Sequence, residues 1–158
     1  MLQKRPFKPQ KDGTFTIGLG EHEREVLHEL AEQLAGQISG GTDDGSMFRL
    51  FPPGYSEDLG RQVEYDRLMR DDLQERHLSA LRVLQETVGQ QAIDEMQLNA
   101  WVMALNQLRL VLGTRLDVTE ETTEDDIAED SPAAGAFALY GYLGYLQDAA
   151  VEGLSSRI

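Results

Sequence analysis

The stretch ALNQLRLVLGTRL, residues 104–116, is where the reading of the fold begins. Leu105, Leu108 and Leu112 fall three and four apart, the spacing that gathers apolar side chains on one face of an α-helix. Asn106, Arg109 and Arg115 are threaded among them. On a helix Arg109 lies beside Leu105 and Leu112, so its aliphatic stem crosses the apolar face while its head reaches water or a partner. An unpaired buried charge costs several kcal/mol, so an internal Arg109 predicts a carboxylate from the 64–72 region. Asn106, one turn earlier, is placed to share that partner. Arg115 follows Gly113 and Thr114 near the helix end, where a cation interacts favourably with the last carbonyls. The three residues are read as structural polar anchors rather than as an anion-binding site.

Working outward, the same helix is predicted from about residue 91, with Ile93, Met96, Trp101, Leu105, Leu108 and Leu112 facing inward. Beyond it, residues 117–130 hold eight acids and no base, the composition of a solvated loop. Ser131-Pro132 then opens a last helix in which Tyr140, Leu143, Leu146 and Ala150 repeat at helical spacing. Tyr142 and Tyr145 fall on a different face and, if exposed together, form a patch suited to a protein partner. Upstream, a helix is predicted from near Ser56 to about Val88, with Leu73, His77, Leu81, Leu84 and Val88 as its stripe. Another begins at Glu21, carries Leu27, Leu30, Leu34 and Ile38, and ends at the glycines 40 and 41. Before it, Asp12-Gly13 followed by alternating Phe15, Ile17 and Leu19 predicts a hairpin whose first strand lies around Phe7. The fold class is therefore mainly α: a single-domain helical bundle over 1–158 with a small N-terminal β-hairpin. Residues 1–12 form a basic arm or first strand, and 39–55 and 117–131 form loops.

The chain has 14 Lys and Arg against 28 Asp and Glu, a net −14. Lys4, Arg5, Lys8 and Lys11 all lie in the first eleven residues, leaving 10 bases and 28 acids, a net −18, for the remainder. Affinity for nucleic acid comes mainly from Lys and Arg neutralising phosphates, so direct nucleic-acid binding is not expected. With no cysteine, thiolate metal sites and thiol redox chemistry are excluded. The longest uncharged run, 131–147, falls short of the roughly 20 apolar residues that span a bilayer. A soluble, cytoplasmic protein without membrane association is expected.

Catalytic and metal-binding patterns are incomplete. Glu25-x-x-His28, with Glu32 one turn on, has the spacing used in diiron bundles, but His77 has Gln74 where a second Glu is needed. Asp71-Asp72 with Glu75 reads as a charged surface plus one internal ion-pair partner. GLGEHE, residues 18–23, lacks the spacing and the lysine of a phosphate loop. No enzymatic activity, cofactor or metal is expected.

Three segments, FRLFPPGYSEDLGRQVEYDRLMRDDLQERHLSAL, WVMALNQLRLVLGTRL and YGYLGYLQDAAVEGL, occur in that order. In them the chain resembles an actinobacterial family long filed as a domain of unknown function, one branch of which is described as the oxidative-stress transcriptional regulator AosR. The resemblance implies regulation through proteins, a sigma factor of the stress response in particular, rather than chemistry. It also implies a gene neighbourhood with the ClpS adaptor, and hence an alternative role as an accessory of Clp proteolysis. A third alternative is a small-ligand or metal-binding helical domain. The redox switch of the characterised branch uses a cysteine pair, so this chain is expected to act without it.

Overall fold

The computed structural model describes residues 5–40, 50, 59–116 and 134–156. Four helices carry the fold: α1 (Glu21–Gly40), α2 (Leu59–Thr87), α3 (Glu95–Arg115) and α4 (Ala134–Ser155). Three short strands, β1 (Phe7–Pro9), β2 (Phe15–Ile17) and β3 (Ala92–Ile93), form one antiparallel sheet in that order. The bundle with a small N-terminal hairpin is thus the architecture its hydrophobic periods predict. Phe7 pairs with Ile17 and Pro9 with Phe15. The turn between them is set by Gly13, whose φ of 93° favours glycine, and by Asp12, whose carboxylate accepts from the Thr14 N–H and hydroxyl. Alternation then turns Phe15 and Ile17 inward.

Two expectations are corrected at the start of α3. Residues 92 and 93 pair with β2 instead of beginning the helix, and Ile93 reaches the core from a strand. The helix starts at Glu95 because Asp94 caps it. The Asp94 side chain accepts from the Gln97 N–H at 2.8 Å, and the Gln97 side chain accepts from the Asp94 N–H at 2.9 Å, a reciprocal capping box. This start rotates Met96 out of the core, where it is 82% exposed. The extended segment through Pro52 and Pro53, the acidic stretch 117–130 and the Ser131-Pro132 cap lie outside the described residues.

The core lies between the sheet and the helices. Phe7, Phe15 and Ile93 from the strands join Leu27, Leu81, Leu84, Leu98, Trp101, Leu105, Leu143 and Leu146 from the helices. Trp101 is its centre: Phe7 meets its indole edge-on at 5.5 Å, and its Nε1–H donates to the buried Thr87 hydroxyl at 2.7 Å. That hydroxyl in turn donates to the Val83 carbonyl, so the one polar edge of a large apolar side chain is satisfied inside. Helix α1 packs on α2, α2 on α3 and α3 on α4, while β1 lies against α4. Among the described residues no helix is long and apolar enough to cross a membrane.

Candidate docking cleft between α1 and α4

On α4, beside the buried Leu143–Leu146–Ala150 stripe, Tyr142 is half-buried against the core and Tyr145 is exposed. Their rings lie 6.4 Å apart, tilted by 34°. They form one wall of an open cleft of about 740 Å³. The opposite wall is the β2–α1 connection, Gly18 to Gly20, with Glu23 and Arg24. The sequence reading therefore put these two tyrosines on one surface, and the structure brings them to one cleft; Tyr145 is 49% exposed.

The cleft is held by two residues that the sequence reading passed over. Glu23 is in the first turn of α1, and its carboxylate accepts from the Gly20 N–H at 3.3 Å, meeting one of the donors that a helix start leaves open. The same carboxylate accepts from the Tyr142 hydroxyl, tying α4 to the end of α1. Burial raises the Tyr142 phenol well above its ordinary value, and the Glu23 hydrogen bond, the Glu23 charge and Tyr145 act in the same direction. Tyr142 thus stays a neutral donor at any pH the protein meets.

Arg24 is the second. Its Nε–H donates to the Leu19 carbonyl at 3.0 Å and Nη2–H to the Ile17 carbonyl at 3.0 Å. Nη1 donates to the Val88 and Gln90 carbonyls at 2.7 and 2.6 Å. One guanidinium therefore fastens the end of β2, the start of α1 and the α2–β3 connection. Four of its five N–H groups are spent this way, so it offers little to an anion in the cleft. Helix α1 carries five carboxylates and α4 two, while Arg24 is the one base in either. The walls of the cleft are accordingly short of available positive charge.

Asn106, Arg109 and Arg115 lie elsewhere and diverge. Arg109 faces α4: its guanidinium lies over the Tyr140 ring at 5.7 Å, and a Cβ at Gly144 would come within 3.3 Å of its Nη1. A Cβ at Gly113 would in turn come within 2.9 Å of the Tyr140 ring. The glycines of LGTR and of YLGY are thus the space into which Tyr140 and Arg109 fit, and the two segments are halves of one α3–α4 contact. No described carboxylate pairs with Arg109; among the described residues an aromatic face stands where an acid from 64–72 was expected, and the Asp66 side chain lies outside them. The Arg109 Nε is buried without a hydrogen-bond acceptor. Arg115, in the last turn of α3, turns to α1, where Nη2 donates to Gln37 Oε1 at 2.9 Å. Asn106 is half-buried, and its side chain makes no hydrogen bond among the described residues. His28 is on the exposed face of α1, with Nδ1 4.0 Å from Glu32.

Fold and cleft together define a small helical domain in which a three-stranded sheet closes one end of a four-helix bundle. The family model for DUF2017, a domain of unknown function, matches residues 4–154, and the chain belongs to that family. No curated protein and no solved structure matches it.

Proposed function

We propose that the protein is a non-enzymatic interaction domain that docks a basic segment of a partner protein in the α1–α4 cleft. The carrying observation is the exposed Tyr145 and the half-buried Tyr142 lining one cleft beside Glu23, in walls whose single arginine is committed to backbone carbonyls. Aromatic faces and a carboxylate suit a Lys or Arg side chain, through cation–π contact and charge complementarity. The two tyrosines add large contact area at low entropic cost. The resemblance to the family that includes the AosR branch supports a regulatory setting in transcription or the stress response, with a sigma factor as the partner. Redox sensing by cysteine has no part in this reading.

The test is affinity capture from native lysate with the parent chain and with Tyr145→Arg, which puts a cation on the cleft rim while leaving the Tyr142–Glu23 bond in place. Mass spectrometry is expected to find a basic polypeptide, a sigma factor or another transcription component, on the parent and not on the variant. Recovery of the same polypeptides by both, or of none by the parent, contradicts the proposal.

A further inference from the structure

In the order in which the helices pack, the α2–α3 seam lies on the side of the bundle opposite the α1–α4 cleft. It carries a groove of about 370 Å³ with a floor of small residues, Ala80 and Ser79 from α2 and Ala100 from α3. Met103 stands at its wall, 46% exposed, and Met96 lies two turns earlier on the same helix at 82%. Met96, Ala100 and Met103 are spaced i, i+4, i+7, so they make one continuous apolar stripe along α3. Methionine is unbranched and polarizable and repacks around varied shapes, which is why it recurs on surfaces that accept helices. The facing rim belongs to α2. There Arg76 is paired with Asp72 one turn away, and Glu75 is the exposed charge with no ion pair among the described residues.

We infer that this groove docks an amphipathic helix of a partner protein, its apolar stripe seated on Met96, Ala100 and Met103 and a Lys or Arg opposite Glu75. A floor of alanine and serine leaves room for a bulky side chain to enter, and the flexible methionine wall closes around it. The unmatched carboxylate sets the sign of the partner's flanking charge. A second copy of this chain is disfavoured as the occupant, since two bodies of net −14 repel. The site is independent of the cleft between α1 and α4, and its test stands apart from that one.

The probe is a fluorescein-labelled synthetic peptide, LKKLLKLLKKLLKL, an amphipathic basic helix, titrated with the full chain at ~150 mM salt to suppress non-specific attraction. Anisotropy is expected to show saturable binding that the double variant Met96→Gln/Met103→Gln weakens on the order of tenfold, about 1.4 kcal/mol. Both side chains are surface-exposed, so the fold is expected to persist, and circular dichroism verifies it. Tyr145→Ala should leave the affinity within about twofold. A scrambled peptide of the same composition, having no apolar face, should bind at least roughly tenfold more weakly. Equal binding of the scrambled peptide, equal binding by the methionine variant, or no binding of the parent overturns the inference. So does a dimer in sedimentation velocity that Met103→Gln dissociates, which would assign the groove to a second copy.

Discussion

Arg109 shows how a single side chain can look the same in a sequence and differ in energy. Its stem does cross the apolar face of α3, as the leucine spacing requires, but among the described residues its head meets the Tyr140 ring and not a carboxylate. An ion pair broken by substitution strands a buried partner and costs about 3–5 kcal/mol. Among the described residues no carboxylate is left stranded. Arg109→Ala should therefore lose the stem packing and the ring contact, roughly 1–3 kcal/mol. Arg109→Met keeps the stem volume and removes an Nε that has no acceptor, and is expected to stay within about 1 kcal/mol of the parent. Urea denaturation of the three proteins measures this, and a loss above about 3 kcal/mol for Arg109→Met would reveal a buried acid that Arg109 neutralises. The leucine spacing made the position of Arg109 on its helix legible; what that position faces was not, because Tyr140 and Gly144 arrive from another helix. Arg24 was less legible still. Its acceptors are main-chain carbonyls at positions 17, 19, 88 and 90, and no residue type marks a carbonyl that will end up within reach. Helical spacing alone separates Tyr142 and Tyr145 from the buried stripe of α4, whereas the Glu23 that accepts from Tyr142 is 119 residues away in the chain.

Elements were legible wherever their pattern ran long enough to carry a period. The predicted helix from Glu21 ends at the glycine pair, as observed, and the long helix before Val88 keeps Leu81, Leu84 and Val88 in the core. Strand β3 was missed because two residues cannot show alternation; its pairing with Thr16 and Phe15 is tertiary. The Asp94-x-x-Gln97 capping signature was present in the sequence and would have moved the start of α3 to its observed place. Helix α2 also holds a titratable group that links it to the chain at Leu50. His77 is half-buried, and its Nε2 lies 3.1 Å from the Leu50 carbonyl. Burial lowers its pKa, and the Leu50 hydrogen bond offsets part of that. The unfolded chain restores the ordinary imidazole value of about 6.5, so below that pH the unfolded state binds the extra proton. The contribution of neutral His77 is therefore complete above about pH 6.5 and is lost as pH falls toward the lowered folded-state value. His77→Gln removes the titration. The stability difference between parent and variant should shrink between about pH 7.5 and 5.5, read from urea midpoints, while a difference independent of pH would mean that folding leaves the His77 pKa unshifted, and one that grows as pH falls would mean that His77 is charged in the fold.

At the scale of the whole molecule the excess of acid has two consequences of opposite sign. The chain carries net −14, a sum in which all 14 Lys and Arg are already set against 28 Asp and Glu. Carboxylates spread over a compact body repel one another, and the unfolded chain relieves that repulsion by expanding. Screening lengths fall from about 30 Å at 0.01 M salt to about 8 Å at 0.15 M, so added sodium chloride should stabilise the free protein. An increase in Tm of roughly 2–5 °C between ~20 and ~300 mM sodium chloride at pH 7.5 is expected by differential scanning calorimetry. At pH 4.5, close to the sequence isoelectric point, the net charge vanishes and the same addition should leave Tm nearly unchanged. Docking of a basic segment must respond the other way. The field that destabilises the isolated fold is the one that draws in a positive partner, so the salt that raises Tm should slow association and weaken the complex. Both halves can be measured on one preparation. A Tm that falls with salt at pH 7.5 would show that local pairs outweigh the self-repulsion. A complex indifferent to salt would show that apolar and aromatic contacts carry the recognition, with the acidic surface serving only to keep the chain apart from its own copies.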